Sequence, residues 1–475
     1  MPTNIKHNFA YSAILTLSTY LVPLIVFPYI SRVLGVGGIG QIDTVDNIID
    51  YCILFSMMGL TTLGVREIAK NKDNPQSLSQ TFTDLFVLNL YSTIIIAIIF
   101  CIIVWTTPKL YAYGVLIPIG ISKLIANLFW IEWFYSGLEN FRYISLRSLF
   151  LRAAFIICVF LFVHSQEDTN VYYMLFAGIT IGNAICNWYY KRSLIHWDIR
   201  KANIKRYLAP FFLLGAFAML SAVYTKLSLP LLSFLTNDQE AGNYATATRV
   251  YQVIIALIST LTIVMIPRMS ALVKEEQFGK VREYSNKSFQ LLFLFSFPIM
   301  YFMIIYAPDI IRLFAGAGFD GAIMPMRIIM PQLIIIGAEK IIVLQLLIPL
   351  RKDRTIVMAG IVAVFIWCIL SVLLVPVLHG IGTSIVWIAS ELTVLIIANR
   401  ETNRTLNISF PLKQFFLSCI YSIPYIVIGL AVLSFVQQPI MRLFISIVIF
   451  ICYATFLEIK IYKTGILQPI IKRII

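Results

Sequence analysis

The sequence predicts an all-α polytopic membrane protein, and three observations carry that prediction. Of its 475 residues 59% are apolar and only 13% charged, where a soluble domain carries about 25% charged residues. Apolar runs of about twenty residues recur along the chain, each the length a helix needs to cross ~30 Å of hydrocarbon. Lysine and arginine follow the runs in strict alternation. Twenty-eight fall on one set of connections and termini and five on the opposite set, the bias that marks the cytoplasmic side. A tandem of soluble domains is excluded. The net charge of +14 is explained by the same bias, so no nucleic-acid partner is expected.

Apolar runs against polar punctuation give about fourteen spans: 9–33, 41–64, 81–105, 111–136, 148–164, 170–190, 210–236, 246–267, 288–306, 325–348, 355–376, 380–398, 415–436 and 440–460. Both termini are expected to face the cytoplasm. The first run holds Pro23 and Pro28 with no small-residue cleavage site, so it reads as a retained span and not a signal peptide. The second follows a glycine-rich turn (Gly35, Gly37, Gly38, Gly40) and leaves through Gly59 and Gly64 to the charged exit Arg66-Glu67-Ile68-Ala69-Lys70. The largest inner connections, 191–209 and 273–287, are too short for a domain. No Walker A pattern occurs, so ATP hydrolysis within the chain is not expected.

The second lobe repeats the first. A shift of 202 residues superimposes Pro28 on Pro230, Ser31 on Ser233, Gly40 on Gly242, Arg66 on Arg268 and Lys72 on Lys274. The two copies run the same way, which implies two pseudo-symmetric six-helix lobes related by an axis along the membrane normal. The expected division is an N-lobe at 1–206, a C-lobe at 207–404 and an appended helix pair at 405–475. Pro28 and Pro230 are the candidate break points.

An ionisable group at bilayer depth costs at least ~2.5–3.5 kcal/mol on insertion scales, so those retained face a cavity or a partner. Lys123, Lys226, Glu339, Lys340 and Glu391 fall near mid-span, with Arg32 and Arg249 nearer the outer side. Lys123, Lys226 and Lys340, with Arg32 and Arg249, are the candidate cavity cations, and an ammonium with three donors suits a phosphate or pyrophosphate. Structural pairing is the alternative. Asp43, Asp46 and Asp50 recur at i, i+3 and i+7, within an arc of about 60° on one helix. With Glu339 and Glu391 they are candidates for coupling to a proton or sodium ion, or for gating. The repeat sets acids opposite Arg249, so a gate between Asp43 or Asp46 and Arg249 stands beside ion coupling, with Asp50 the preferred coupling group.

Phe129, Trp130, Trp133, Phe134 and Tyr135 cluster at the inner end of the fourth span. They read first as an interfacial belt and second as a platform for a sugar ring. The seven cysteines lie inside apolar runs without a CxxC pair, and the four histidines share no ligand spacing. No metal site, disulfide or cofactor is expected.

Three stretches resemble a known family. Gly35–Asp73 resembles the first helical pair of the bacterial polysaccharide-repeat flippases of the Wzx type. Trp133-Phe134-Tyr135-Ser136-Gly137-Leu138-Glu139 is similar to that family's aromatic-Gln-Gly-x-Glu turn, with Ser136 where Gln is usual. Gly242-Asn243-Tyr244, followed by Pro267-Arg268-Met269-Ser270, resembles its second-lobe counterpart. The resemblance implies membership of the multidrug/oligosaccharidyl-lipid/polysaccharide exporter superfamily. It implies a central cavity that opens alternately to either side of the bacterial plasma membrane, among membrane lipids. The implied substrate is an undecaprenyl-pyrophosphate-linked oligosaccharide, flipped outward for O-antigen or another surface polysaccharide, with polysaccharide polymerases as partners. The implied protein is a transporter and not an enzyme. In the related lipid II flippase a cation site draws on an acidic residue of the eleventh helix, and Thr355–Pro376 has none. Multidrug antiporters use a carboxylate in the first or seventh helix, and neither span here carries one. Both departures favour the polysaccharide branch.

Overall fold

The structure, a computed structural model, describes residues 5–192, 194–195 and 202–462. Part of the basic connection 191–209 and the basic residues beyond 462 lie outside them. Every element among the described residues is helical. Among the described residues eight helices are long and apolar enough to cross a membrane, nine if the bent pair within 320–347 counts as one span. Two of the eight each hold two expected spans. The chain forms two compact units, 1–242 and 243–475.

The first unit contains α1 (Ile5–Met57), α2 (Leu60–Asn71), α3 (Pro75–Thr106), α4 (Pro108–Ala112), α5 (Leu116–Trp130) and α6 (Glu132–Gly137), then α7 (Phe141–Phe162), α8 (Thr169–Lys191), α9 (Lys205–Lys226) and α10 (Ser228–Leu235). Its breaks follow from local chemistry. At Gly35 the backbone adopts φ 69°, ψ 175°, open at little cost only to glycine, and there α1 divides into the first two expected spans. Pro28 lies within the helix and does not interrupt it. Asn74 caps α3 by accepting from the backbone N–H groups of Gln76 and Ser77, with Pro75 at the first helical position. The α9–α10 helix is interrupted at Leu227, three residues before Pro230. The proline ring clashes with the carbonyl of residue i−4, here Lys226. Of the two expected break points, Pro230 therefore interrupts its helix, and the first break sits at Gly35 instead.

One interruption carries neither glycine nor proline. Between α5 and α6, Ile131 sits at φ 28°, ψ 36°, a conformation uncommon for a β-branched residue. The break turns α6 into the protein. Trp133, Phe134 and Tyr135 are at most 3% exposed and pack with Phe82, Phe86, Leu63 and Ile68. The interfacial belt expected for these three is corrected to a buried aromatic core. Gly64 of α2 lies under the Trp133 indole, and Gly137 of α6 lies against Ile68, so a Cβ at either position would clash. Two of the stretches that carry the family resemblance are thus each other's packing surface. The fifth span starts earlier than expected: Arg147, just outside the expected span 148–164, lies inside α7.

Where α1 resumes after Gly35 it meets the chain at 238–242. A Cβ on Gly40 would overlap the Asp238 carbonyl oxygen, and a Cβ on Gly242 would overlap the Val36 carbonyl oxygen. Positions 36 and 238 are related by the same 202-residue shift as 40 and 242. The contact is reciprocal, as an isologous two-fold contact is.

The second unit takes most of α11 (Asp238–Lys274), then α12 (Phe278–Ile305), α13 (Ala307–Phe314), α14 (Ile323–Ile329), α15 (Gln332–Lys340), α16 (Asp353–Leu406), α17 (Leu412–Tyr421), α18 (Ile423–Phe435) and α19 (Pro439–Leu457). α15 runs straight into a π-helical segment, Ile341–Leu347, a distortion that is frequent at functional sites. α16 divides at His379, with φ 51°, ψ −128°, in the turn expected between the eleventh and twelfth spans.

Candidate functional site

In the first unit a cluster of four charges joins α1, α5 and α9. Asp46 and Asp50 stand one turn apart on α1. The Lys123 ammonium of α5 donates to Asp46 Oδ1 at 2.6 Å and to Asp50 Oδ1 at 2.8 Å. Lys226, the last residue of α9, donates to the other oxygen, Asp50 Oδ2, at 2.8 Å. Tyr173 of α8 adds a hydroxyl bond to Asp46 Oδ1 at 3.2 Å. Lys123 also lies over the Phe176 ring, 5.2 Å from its centroid, a favourable place for a cation. Two carboxylates and two ammoniums leave no formal net charge, which is how charges persist in a low-dielectric interior.

The two lysines are not equivalent. The Lys123 side chain is 9% exposed and the Lys226 side chain 45%. Lys123 is a buried clamp, whereas Lys226 is within reach of an incoming anion. Both oxygens of Asp50 are engaged by ammoniums, so the residue expected to take a coupling cation is held between two lysines. Asp43 is buried one turn before Asp46, and its backbone carbonyl accepts from the Asn47 side chain. Arg32, on the other side of the Gly35 break, is exposed and donates to the Pro28 carbonyl.

In the second unit, Glu339 of α15 and Glu391 of α16 lie within electrostatic reach of each other. Two carboxylates so placed repel each other when both are ionised. The Trp387 indole N–H donates to Glu391 Oε1 at 3.2 Å, and the Tyr251 ring stands edge-on to Trp387, 5.3 Å between centroids. Lys340 donates to Ser259 of α11. The sequence neighbours Glu339 and Lys340 therefore serve different partners, as their divergence on a helix requires. The π-helical segment begins at the next residue. Arg249 is half-buried on α11.

A family model described as polysaccharide biosynthesis protein matches residues 5–273, more than half of the chain. The chain belongs to this family. A second model, MatE, matches residues 238–343. The "Putative O-antigen transporter" of Escherichia coli (strain K12) is 24% identical over 399 residues, covering 82% of this chain and 94% of the relative. Its namesake in Shigella dysenteriae is 21% identical over 349 residues, covering 71% of this chain and 84% of the relative. Among solved structures, the lipid II flippase MurJ in an inward closed conformation superimposes with a TM-score of 0.72 at 14% identity, covering 95% of this chain and 99% of that one. An inward-facing multidrug resistance MATE family transporter of the MOP superfamily gives 0.63 at 13% identity, covering 82% and 94%. The polysaccharide biosynthesis protein described here therefore has the fold of these polytopic transporters. It is a multi-pass inner-membrane transporter and not an enzyme.

The partners of Trp130 in this family member were not legible from sequence. Arg147 of α7, Asn187 of α8 and Trp130 and Glu132 on either side of the Ile131 break form a connected network. Arg147 was hidden because the apolar run that signals its span begins after it. Asn187 and Glu132 carry no spacing signal, since the network joins residues up to 57 positions apart.

Proposed function

We propose that this protein flips an undecaprenyl-pyrophosphate-linked oligosaccharide across the bacterial plasma membrane by alternating access, for assembly of a surface polysaccharide. The observation that carries the reading is the Asp50–Lys226 bridge. An accessible ammonium is held at bilayer depth by a carboxylate, and a pyrophosphate oxygen can replace that carboxylate in kind. The exchange does not leave Asp50 without a cation, because Asp50 keeps Lys123 when Lys226 leaves. It also has a mechanical consequence: releasing Lys226 removes the bridge between α1 and the end of α9, next to the Pro230 break. Binding the head group would thus unlock the motion that re-exposes it, the differential contact that a conformational change requires. The lobes that rock are those at 1–206 and 207–404, with 405–475 appended, and the polyprenyl tail stays in lipid. Glu339 and Glu391 are the proposed site of the coupling proton or sodium ion, because Asp50 is already engaged by two cations. Polysaccharide polymerases are the proposed acceptors of the flipped product.

The test is a flipping assay in a strain lacking its own flippase. Lys226→Ala should reach the membrane at normal level and fail to deliver sugar repeats to the outer face, and Lys226→Arg should retain part of the activity. Full activity of Lys226→Ala would overturn the exchange mechanism.

A further inference from the structure

The structure sorts the aromatic cluster at the inner end of the fourth span. Trp133, Phe134 and Tyr135 are core, and Trp130 is left half-buried beside the break. The Trp130 carbonyl accepts from the Asn187 side-chain amide, whose oxygen accepts in turn from Arg147. Arg147 is itself buried and reaches Glu132 Oε2 at 3.3 Å. The Trp130 indole N–H donates to the same oxygen at 2.7 Å. Two donors thus fix Glu132 through Oε2. The side chain remains 37% exposed, and among the described residues no hydrogen bond is formed to Oε1. The result is an oriented carboxylate with an open acceptor, beside an indole face, next to a backbone position that strains a β-branched residue. Rigidly held, partly exposed polar groups of this kind are what a recognition site needs.

The direction in which the pair faces follows from α5. Pro118 and Ile125 mark its exposed side. Lys123, Asn127 and Trp130 recur at i, i+4 and i+7 and lie roughly 140–200° around the helix from Ile125. Lys123 and Asn127 are buried. Trp130 therefore shares the protein-facing stripe of the charge cluster, ~10 Å along the axis from Lys123 at 1.5 Å per residue. A carboxylate on the opposite, lipid-facing stripe would be costly.

We infer that Trp130 and Glu132 form a sugar subsite, with Arg147 and Asn187 as positioning residues. The inference rests on the flippase reading above. A carboxylate oxygen accepts from ring hydroxyls, the indole packs on the C–H face of a pyranose, and the spacing from Lys123 suits a short sugar chain whose pyrophosphate lies at the lysines. A site built to hydrogen-bond hydroxyls discriminates strongly against ligands lacking them.

The experiment measures binding to purified full-length protein in nanodiscs with two probes. One is the lipid-linked oligosaccharide extracted from the flippase-deficient host, and the other is undecaprenyl pyrophosphate without sugar. Wild type should prefer the sugar-bearing lipid by about tenfold, the equivalent of roughly 1.4 kcal/mol. Trp130→Leu, Glu132→Gln and Asn187→Ala should bring that preference to about twofold or less while the affinity for the sugar-free lipid is retained. Trp130→Phe keeps the platform without the N–H and should fall between. Glu132→Gln leaves Arg147 without its charge partner, so Trp130→Leu, which keeps the Glu132–Arg147 bridge, serves as the independent arm. A preference unchanged in both Trp130→Leu and Glu132→Gln would overturn the subsite. Binding of neither lipid by wild type would overturn the flippase reading and this inference with it. Binding of both without preference would overturn the subsite alone.

Discussion

At the scale of single residues, the buried charges make a sharp statement about stability. Lys123 holds two carboxylates at once, and its side chain is almost fully enclosed. Replacing it by methionine leaves Asp46 buried beside Tyr173 with no cation, and breaking a buried pair from one side costs about 3–5 kcal/mol. Replacing both partners, Lys123→Met with Asp46→Asn, removes the stranded charge while Asp50 keeps Lys226. The double variant should therefore regain most of the loss in thermal unfolding in detergent micelles. A double variant no more stable than Lys123→Met would show that the pair is not the unit of stability. This is also why Lys226, at the exposed edge, is the cleaner probe of function. The sequence revealed each of these charges one by one, because a lysine or an aspartate inside an apolar run is conspicuous. It did not reveal their pairing. Lys123 lies 77 and 73 positions from its partners, and only the packing of α5 on α1 brings them together.

At the scale of elements, what was legible depended on the chemistry that breaks a helix. Gly35 and Pro230 announce their interruptions, because one backbone conformation favours glycine and one ring removes a donor. Ile131 announces nothing. The Trp130 carbonyl at its break is satisfied by Asn187 of α8, and with the chain turned inward there the belt expected at Trp133 is core. The same distinction governs the glycine-rich turn. Gly40 and Gly242 each lie under a backbone carbonyl, whereas a Cβ on Gly37 would meet nothing within 4 Å. Gly40→Ala and Gly242→Ala should each destabilise the protein by about 1–3 kcal/mol, the range for overpacking, and by similar amounts because the contact is reciprocal. Gly37→Ala should leave thermal stability unchanged or slightly raised. Equal effects at all three positions would mean that the repeat glycines serve the turn and not the close approach.

At the scale of the whole molecule, the class was legible throughout, because hydrocarbon imposes one requirement on every span and the cation bias imposes another on every connection. What drives transport is a property of the molecule as a whole, and under the proposed mechanism the two charge clusters divide that role. The cluster at Asp50 is balanced, two acids against two lysines, so taking up another cation there would first require a lysine to leave. The Glu339–Glu391 pair sets two carboxyls within reach of each other on adjacent helices. Ionising both would place two like charges side by side in the protein interior, a state that either rearranges the helices or captures a cation. A gradient acting through this pair has ample leverage, since one elementary charge moved across the membrane is worth about 2.3 kcal/mol per 100 mV. Flipping in inside-out vesicles, with a proton or a sodium gradient imposed in turn, should therefore accelerate with one of the two in wild type. Glu339→Gln and Glu391→Gln should remove the acceleration and keep a slow gradient-independent rate, because the substrate cations are untouched. Lys226→Ala should fail under every gradient. If both glutamine variants respond to the gradient as wild type does, the carboxyl pair is a structural bond between α15 and α16, and coupling resides elsewhere in the chain.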